Sequence, residues 1–201
     1  MFLARKVRSF SRSLLQVYGP KRLKRFLWNS EFARGRWNAL DSTPDDCIYP
    51  FVEKYACGGS ILDLGCGSGN TANELNPESY RDYTGVDISD VAIDKARTRA
   101  QAHGRADKCR YLQSDIVDYV PTQDFDVILF RESIYYVERG TITPMLQRYR
   151  NFLARPDSVF IVRMAASEHE CGRVLGIIEK SFEIIERAAF TGPDAIIVVF
   201  R

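Results

Sequence analysis

Ile61-Leu-Asp-Leu-Gly65-Cys-Gly67-Ser-Gly69-Asn70 decides the fold. A short apolar strand runs into three alternating glycines. That predicts a sharp strand-to-helix turn whose backbone amides stand open to a ligand at a helix N-terminus. Spacing narrows the ligand. A dinucleotide loop, G-x-G-x-x-G, would need glycine where Asn70 stands, and a phosphate loop would need Gly-Lys-Ser/Thr, which is absent. Asp63 lies two residues ahead of the first glycine, where a carboxylate repels a diphosphate and suits a cation.

Downstream, short apolar runs alternate with helical segments. Asp82–Asp87 reads as a second strand, followed by Ser89 as helix N-cap and a helix through Val91, Ile93, Ala96 and Ala100 that stops at His103-Gly104. Cys109–Gln113, Phe125–Phe130 and Ser158–Val162 read as three more strands. A helix over Thr141–Leu153, with Pro144 in its first turn, precedes the last of these, and another runs to about Ser181. The chain then closes on a hairpin, Phe182–Phe190 and Ala195–Arg201, around Thr191-Gly-Pro-Asp194. Strand–helix alternation predicts an α/β, doubly wound, Rossmann-like parallel sheet, and the tight terminal turn forces one strand to run against it.

The rest of the chain bounds the reading. With 201 residues, 45% hydrophobic and 27% charged, it is one globular unit with a single substantial core, and its longest apolar runs, such as Ala195–Phe200, are strand-sized. Five cysteines without a C-x-x-C or Cys/His cluster fit free thiols in a reducing, cytoplasmic compartment, with no structural zinc.

Asp87 closes the second strand, where a carboxylate accepts from both hydroxyls of a ribose, with Ile88 beside it; Ser114, Asp115 and Ile116 follow the third, placed for an adenine amino group and ring. With these residues in order the chain resembles the class I S-adenosylmethionine-dependent methyltransferases over about residues 58–201. The resemblance implies a seven-stranded sheet with the last strand antiparallel. It also implies a methionine end held by Asp63, Gly65, Cys66, Gly67 and Gly69, a ribose at Asp87 and an adenine at Asp115. S-adenosylmethionine is then the cofactor, S-adenosylhomocysteine the product, and no metal is expected.

Phe130-Arg-Glu132-Ser-Ile-Tyr135-Tyr136-Val137 borders the expected acceptor pocket. It lacks the Asn/Asp-Pro-Pro-Tyr signature of nucleic-acid amino-methylating enzymes and is similar to the matching stretch of ubiquinone-biosynthesis-type O-methyltransferases. Arg131, Tyr135 and Tyr136 are the pocket candidates, and Tyr135-Tyr136 stand where several relatives carry an acid and then His. Glu132 and His169 are the candidate bases, each with a plainer reading as a hydrogen-bonded carboxylate and an exposed helix-start residue. The expected reaction is methyl transfer to a small-molecule or glycan- or lipid-linked acceptor, at oxygen. The alternatives are an RNA or protein acceptor, or a binding module without chemistry.

Residues 1–57 are expected to form a helical arm and lid, with 58–201 as the methyltransferase unit. Residues 1–40 carry ten Lys and Arg against one acid, although the net charge is only +2. Arg36 and Trp37 are placed to meet the methionine carboxylate and to cover the sulfonium. Leu3, Val7, Phe10, Leu14 and Val17 recur at helical spacing. The basic helix over residues 2–18 has three readings: peripheral contact with an anionic membrane, steering of an RNA or acidic substrate, or packing on the domain or on a second copy in a homodimer. Nucleic acid is the weakest of these. The Arg/Ser-rich start also has the composition of a mitochondrial presequence.

Overall fold

The computed structural model describes residues 12–40, 42–167, 170–192 and 194–201. The first half of the expected N-terminal helix, with Leu3, Val7 and Phe10, and the candidate base His169 lie outside them. Among the described residues the strands are β1 (Ser60–Leu64), β2 (Asp82–Asp87), β3 (Cys109–Gln113), β4 (Val127–Arg131), β5 (Val159–Ala165), β6 (Ile184–Phe190) and β7 (Ala195–Phe200). The helices are α1 (Lys21–Ala33), α2 (Tyr49–Ala56), α3 (Asn70–Glu74), α4 (Asp90–Ala102), α5 (Arg139–Arg150) and α6 (Cys171–Ser181), preceded by helical residues 12–18.

The strands form one sheet in the order β3-β2-β1-β4-β5-β7-β6. Among the strands β7 alone runs against the others, antiparallel to both β5 and β6, as the tight terminal hairpin requires. Strand order reverses between β1 and β4, which pair in parallel, and the carboxyl ends there open the crevice where ligands of such sheets bind.

Period-two alternation sends each strand's side chains to two cores. Leu62, Leu64, Phe130 and Val162 pack with Met145, Leu146 and Tyr149 of α5 and Val174 and Ile178 of α6. Ile61, Val127, Leu129 and Ile161 pack on the other face with Val52 and Ala56 of α2 and Ile93, Ala96 and Ala100 of α4. Burying each such side chain contributes about 1.5–3 kcal/mol. The helix stops are local: Ser89 Oγ accepts from Ala92 N at 3.1 Å to cap α4, and Gly104, at φ +64°, terminates it.

Several boundaries differ from the sequence reading. Helix α5 starts at Arg139, so Pro144 sits inside it and not in the first turn. Strands β4 and β5 reach further in the carboxyl direction than Phe130 and Val162, because their ladder continues through the pair Arg131 and Arg163 and is sealed by the Glu132 amide donating to the Arg163 carbonyl at 2.9 Å. Two charged residues ended the apolar pattern, but the backbone pairing did not end with it. Among the described residues no helix is long and apolar enough to cross a membrane.

Candidate active site

The glycine turn is built as its spacing requires. Gly65 has φ +87°, and a Cβ there would collide with Ser133, the residue after Glu132. Gly69 has φ +73°, and a Cβ would lie 2.8 Å from the Ala96 Cβ of α4. The first glycine therefore lets β1 approach the β4 loop, and the third lets α4 close on the turn. Gly69 serves packing and is not among the residues lining the cavity that opens above the turn.

That cavity, about 240 Å³, is lined on one side by Asp63, Gly65, Cys66, Gly67, Asp87, Ile88, Asp115 and Ile116. Asp63 is fully buried. Tyr83 donates to its Oδ2, while Oδ1 is buried without a hydrogen-bond partner. Burial pushes its carboxyl up to about 6, against the pull of the Tyr83 hydroxyl. Asp87 accepts from the amides of Gly67 at 3.0 Å and Ser89 at 2.8 Å, which fixes the carboxylate across the turn. Burial likewise pushes it up to about 6 despite those amides. Asp115 Oδ1 accepts from Val117 N at 2.9 Å. Ser114 points its backbone amide at the Asp87 carbonyl, 2.9 Å away, and does not line the cavity.

These residues fit S-adenosylmethionine. An orphaned, buried carboxylate oxygen awaits a donor, which the methionine ammonium would supply, while Asp87 keeps acceptor capacity for ribose hydroxyls and Asp115 and Ile116 stand at the next strand end for the adenine.

The opposite side holds four charges that the β4–β5 ladder and the N-terminal segment bring together. Arg131 donates to Asp46 Oδ2 at 2.6 Å and to Thr43 Oγ1 at 2.8 Å. Arg163 pairs with Glu132 and lies 3.5 Å from Asp46 Oδ1. Tyr135 donates to the other oxygen of Glu132. Burial works to raise the Asp46 carboxyl, but Arg131 and Arg163 outweigh it and hold it below the usual range. Burial works to lower Arg163, but Glu132 and Asp46 raise it. Glu132 sits at φ +57°, a left-handed backbone uncommon without glycine, and its side chain lines the cavity.

The remaining expected residues separate cleanly. Trp37, Arg131 and Tyr136 line the cavity; Tyr135 does not, but donates to Glu132 and packs its ring on Tyr136, 4.8 Å away, both of which do. Arg36, expected at the methionine carboxylate, pairs with the buried Glu31 at 3.2 Å, where Arg12 also binds at 2.7 Å, and is absent from the cavity wall. A buried carboxylate on α1 draws both arginines away. Among the residues missed are Trp28, Thr43, Asp46 and Arg163, all of which line the cavity, as do Gln16 and Lys24. Trp28 and Phe32, four apart on α1, were the only local signal; the others depend on long-range pairing.

A methyltransferase domain model matches residues 61–156. The 27-O-demethylrifamycin SV methyltransferase of Amycolatopsis mediterranei (strain S699) is 25% identical over 118 residues, covering 55% of this chain and 43% of that protein. The N-methyltransferase NodS of Bradyrhizobium japonicum WM9, solved with S-adenosyl-L-homocysteine, superposes with TM-score 0.67 at 18% identity, over 87% of this chain and 97% of that one. Magnesium protoporphyrin IX methyltransferase of Synechocystis PCC 6803, also with S-adenosylhomocysteine bound, gives 0.69 at 16% identity, over 90% and 100%. The chain spans 22–63% of the length of the first curated relatives it matches. The glycine turn, the two strand-end carboxylates, the sheet order with its reversed β7 and the matched domain agree: residues 61–156 form a methyltransferase domain, set in the sheet of the class I S-adenosylmethionine-dependent methyltransferases that the chain resembles.

Proposed function

We propose that the chain transfers the methyl group of S-adenosylmethionine to an oxygen of a small-molecule acceptor. The bound cofactor supplies a methyl group on a sulfonium, already activated for displacement. The protein's own residues then have three tasks. Asp63 and Asp87 hold the donor by its ammonium and its ribose. The walls exclude water and align the acceptor, an effect worth up to about 7–11 kcal/mol in favourable cases. Glu132, at the end of β4, accepts the hydrogen bond, and ultimately the proton, of the acceptor hydroxyl.

The observation that carries the choice of oxygen is the charge balance around Glu132. Arg131 and Arg163 balance the charges of Asp46 and Glu132, so this side has no uncompensated carboxylate charge to neutralise a protonated amine, while Glu132, engaged once at each oxygen, keeps lone pairs to accept from a neutral hydroxyl. Incubating the protein with methyl-labelled S-adenosylmethionine and a metabolite extract, with products classed by mass spectrometry, tests it. O-methyl products support the reading; exclusively N-, S- or C-methyl products overturn it. With the acceptor in hand, Glu132→Gln is expected to lower kcat by about 10²–10⁴ while S-adenosylhomocysteine affinity stays within a few-fold. A fall in kcat below about fivefold would remove Glu132 as proton acceptor.

A further inference from the structure

The two helices of the basic arm turn one face to the cavity and the other to solvent. Residues 12–18 send Arg12 and Gln16, four apart, inward: Arg12 pairs with the buried Glu31 at 2.7 Å, and Gln16, 6% exposed, lines the cavity. After a break at Gly19-Pro20, α1 lines the same cavity through Lys24, Trp28 and Phe32, again four apart. The outer faces are apolar where a merely solvated helix is polar. Leu14, Leu15 and Tyr18 are 43%, 42% and 55% exposed, and Phe26 is 68% exposed. Leu14 belongs to the stripe that packing on the domain would bury, yet Gln16 takes the inward place. Of the seven large apolar side chains exposed among the described residues, these four fall between residues 14 and 26, a concentration that marks an interaction surface.

Basic charge surrounds them. Lys21 and Arg25 are met by Asp118 and Asp90 from the body of the domain, but Arg22, Lys24 and Arg34 have no ion pair among the described residues. Residues 1–11, outside the described ones, add Arg5, Lys6 and Arg8 to the sequence and no acid. Glu31, the one acid of residues 1–40, is 3% exposed and paired with Arg12 and Arg36, so the arm itself presents no negative charge outward.

Apolar and basic groups on one surface select its occupant. A second copy meeting it isologously would set this positive surface against itself. An RNA backbone would meet the bases but gain nothing from exposed leucines. A groove on an acidic protein takes the stripe of a single helix, whereas these side chains are divided between two. An anionic bilayer uses both kinds of group: apolar and aromatic side chains enter the boundary between headgroups and acyl chains, and bases meet lipid phosphates.

We propose that the outer faces of residues 12–18 and α1 dock on an anionic phospholipid surface through Leu14, Leu15, Tyr18 and Phe26, with Arg22 at the headgroups. The cavity then lies on the far side of the same helices, about 10 Å from the lipid. The full-length protein is sedimented with vesicles of phosphatidylcholine, and with vesicles of phosphatidylcholine and phosphatidylglycerol at about three to one. Binding to the anionic vesicles is expected to be at least about tenfold stronger and to weaken as salt rises. Leu14→Glu and Phe26→Glu each remove an exposed apolar group and add an acid, and each should weaken binding about tenfold or more at unchanged Tm. Ile185→Glu, at an exposed apolar residue of the edge strand β6, should bind as the wild type does. Failure to bind anionic vesicles, equal binding to both kinds, undiminished binding by the folded Leu14→Glu and Phe26→Glu, or an equal loss in Ile185→Glu overturns the proposal. So does a wild-type dimer in light scattering that either arm variant dissociates, or tighter binding to polyuridylate than to the anionic vesicles.

Discussion

One cavity contains two opposite treatments of buried charge. On the side of β1 and β2, Asp63 and Asp87 are buried without an ion pair among the described residues, and burial raises both to about 6, in Asp63 against the pull of the Tyr83 hydroxyl and of Arg131. On the side of β4 and β5, Asp46, Glu132, Arg131 and Arg163 compensate one another, and Asp46 is held below its usual range. The first side is unfinished, and on the reading proposed above a positively charged ligand completes it. The second balances its own four charges against one another. Stability and binding should therefore respond to mutation in opposite ways on the two sides.

The largest effect is expected on the compensated side. Asp46→Ala leaves the Arg131 and Arg163 guanidinia side by side at the end of a parallel ladder. Breaking a buried pair from one side costs about 3–5 kcal/mol. For a chain of this size that lowers Tm by roughly 10 °C, measurable by calorimetry. A loss below about 1 kcal/mol would mean that the four charges do not act as a unit, and the contrast between the two sides would fail.

Asp63→Asn is the complementary case. The replacement keeps the shape and can still accept from a donor, but the charge-assisted bond to the cofactor's ammonium is lost. S-adenosylhomocysteine should bind about 10–100-fold more weakly, while Tm holds or rises because an uncompensated buried charge is gone. If Tm drops as far as in Asp46→Ala, Asp63 is a structural group and not a waiting ligand group.

This contrast also divides what the sequence makes legible from what it does not. The cofactor side is local: Asp63 and the glycines lie within one strand and its turn, Asp87 ends the next strand, and turn chemistry with strand-end geometry is enough to read them. The hairpin fixes the reversed β7 in the same local way. The other side is assembled from afar. Asp46 and Arg131 are 85 positions apart in the chain. Arg163 is missed because an apolar run is taken to stop at Val162, whereas the ladder continues one charged pair further. The left-handed backbone of Glu132 has no glycine to announce it. Arg36 misleads for the same reason: its basic charge in a lid-like segment is visible, but its claim by Glu31 depends on how α1 meets residues 12–18.

The smallest expected effect is the most specific to the contrast, because pH touches only the uncompensated side near neutrality. Asp63 and Asp87 have folded-state values near 6 against an ordinary 3.8, so the ligand-free folded protein binds protons that the unfolded chain has already released. Its stability therefore rises as pH falls through 6 toward 4, by on the order of 2 kcal/mol for each group. Binding runs the other way. A cationic donor needs Asp63 ionised, so its affinity is level above about pH 7 and falls up to about tenfold per unit below 6, as a proton must leave before the ligand can enter. Calorimetric Kd values for S-adenosylmethionine between about pH 5 and pH 8, set beside the Tm of the ligand-free protein, test both slopes at once. Opposite slopes identify the carboxylates as ligand groups held unpaired until binding. Affinity that stays level to about pH 5 would place the donor's positive end against some other group and leave the contrast without its first half.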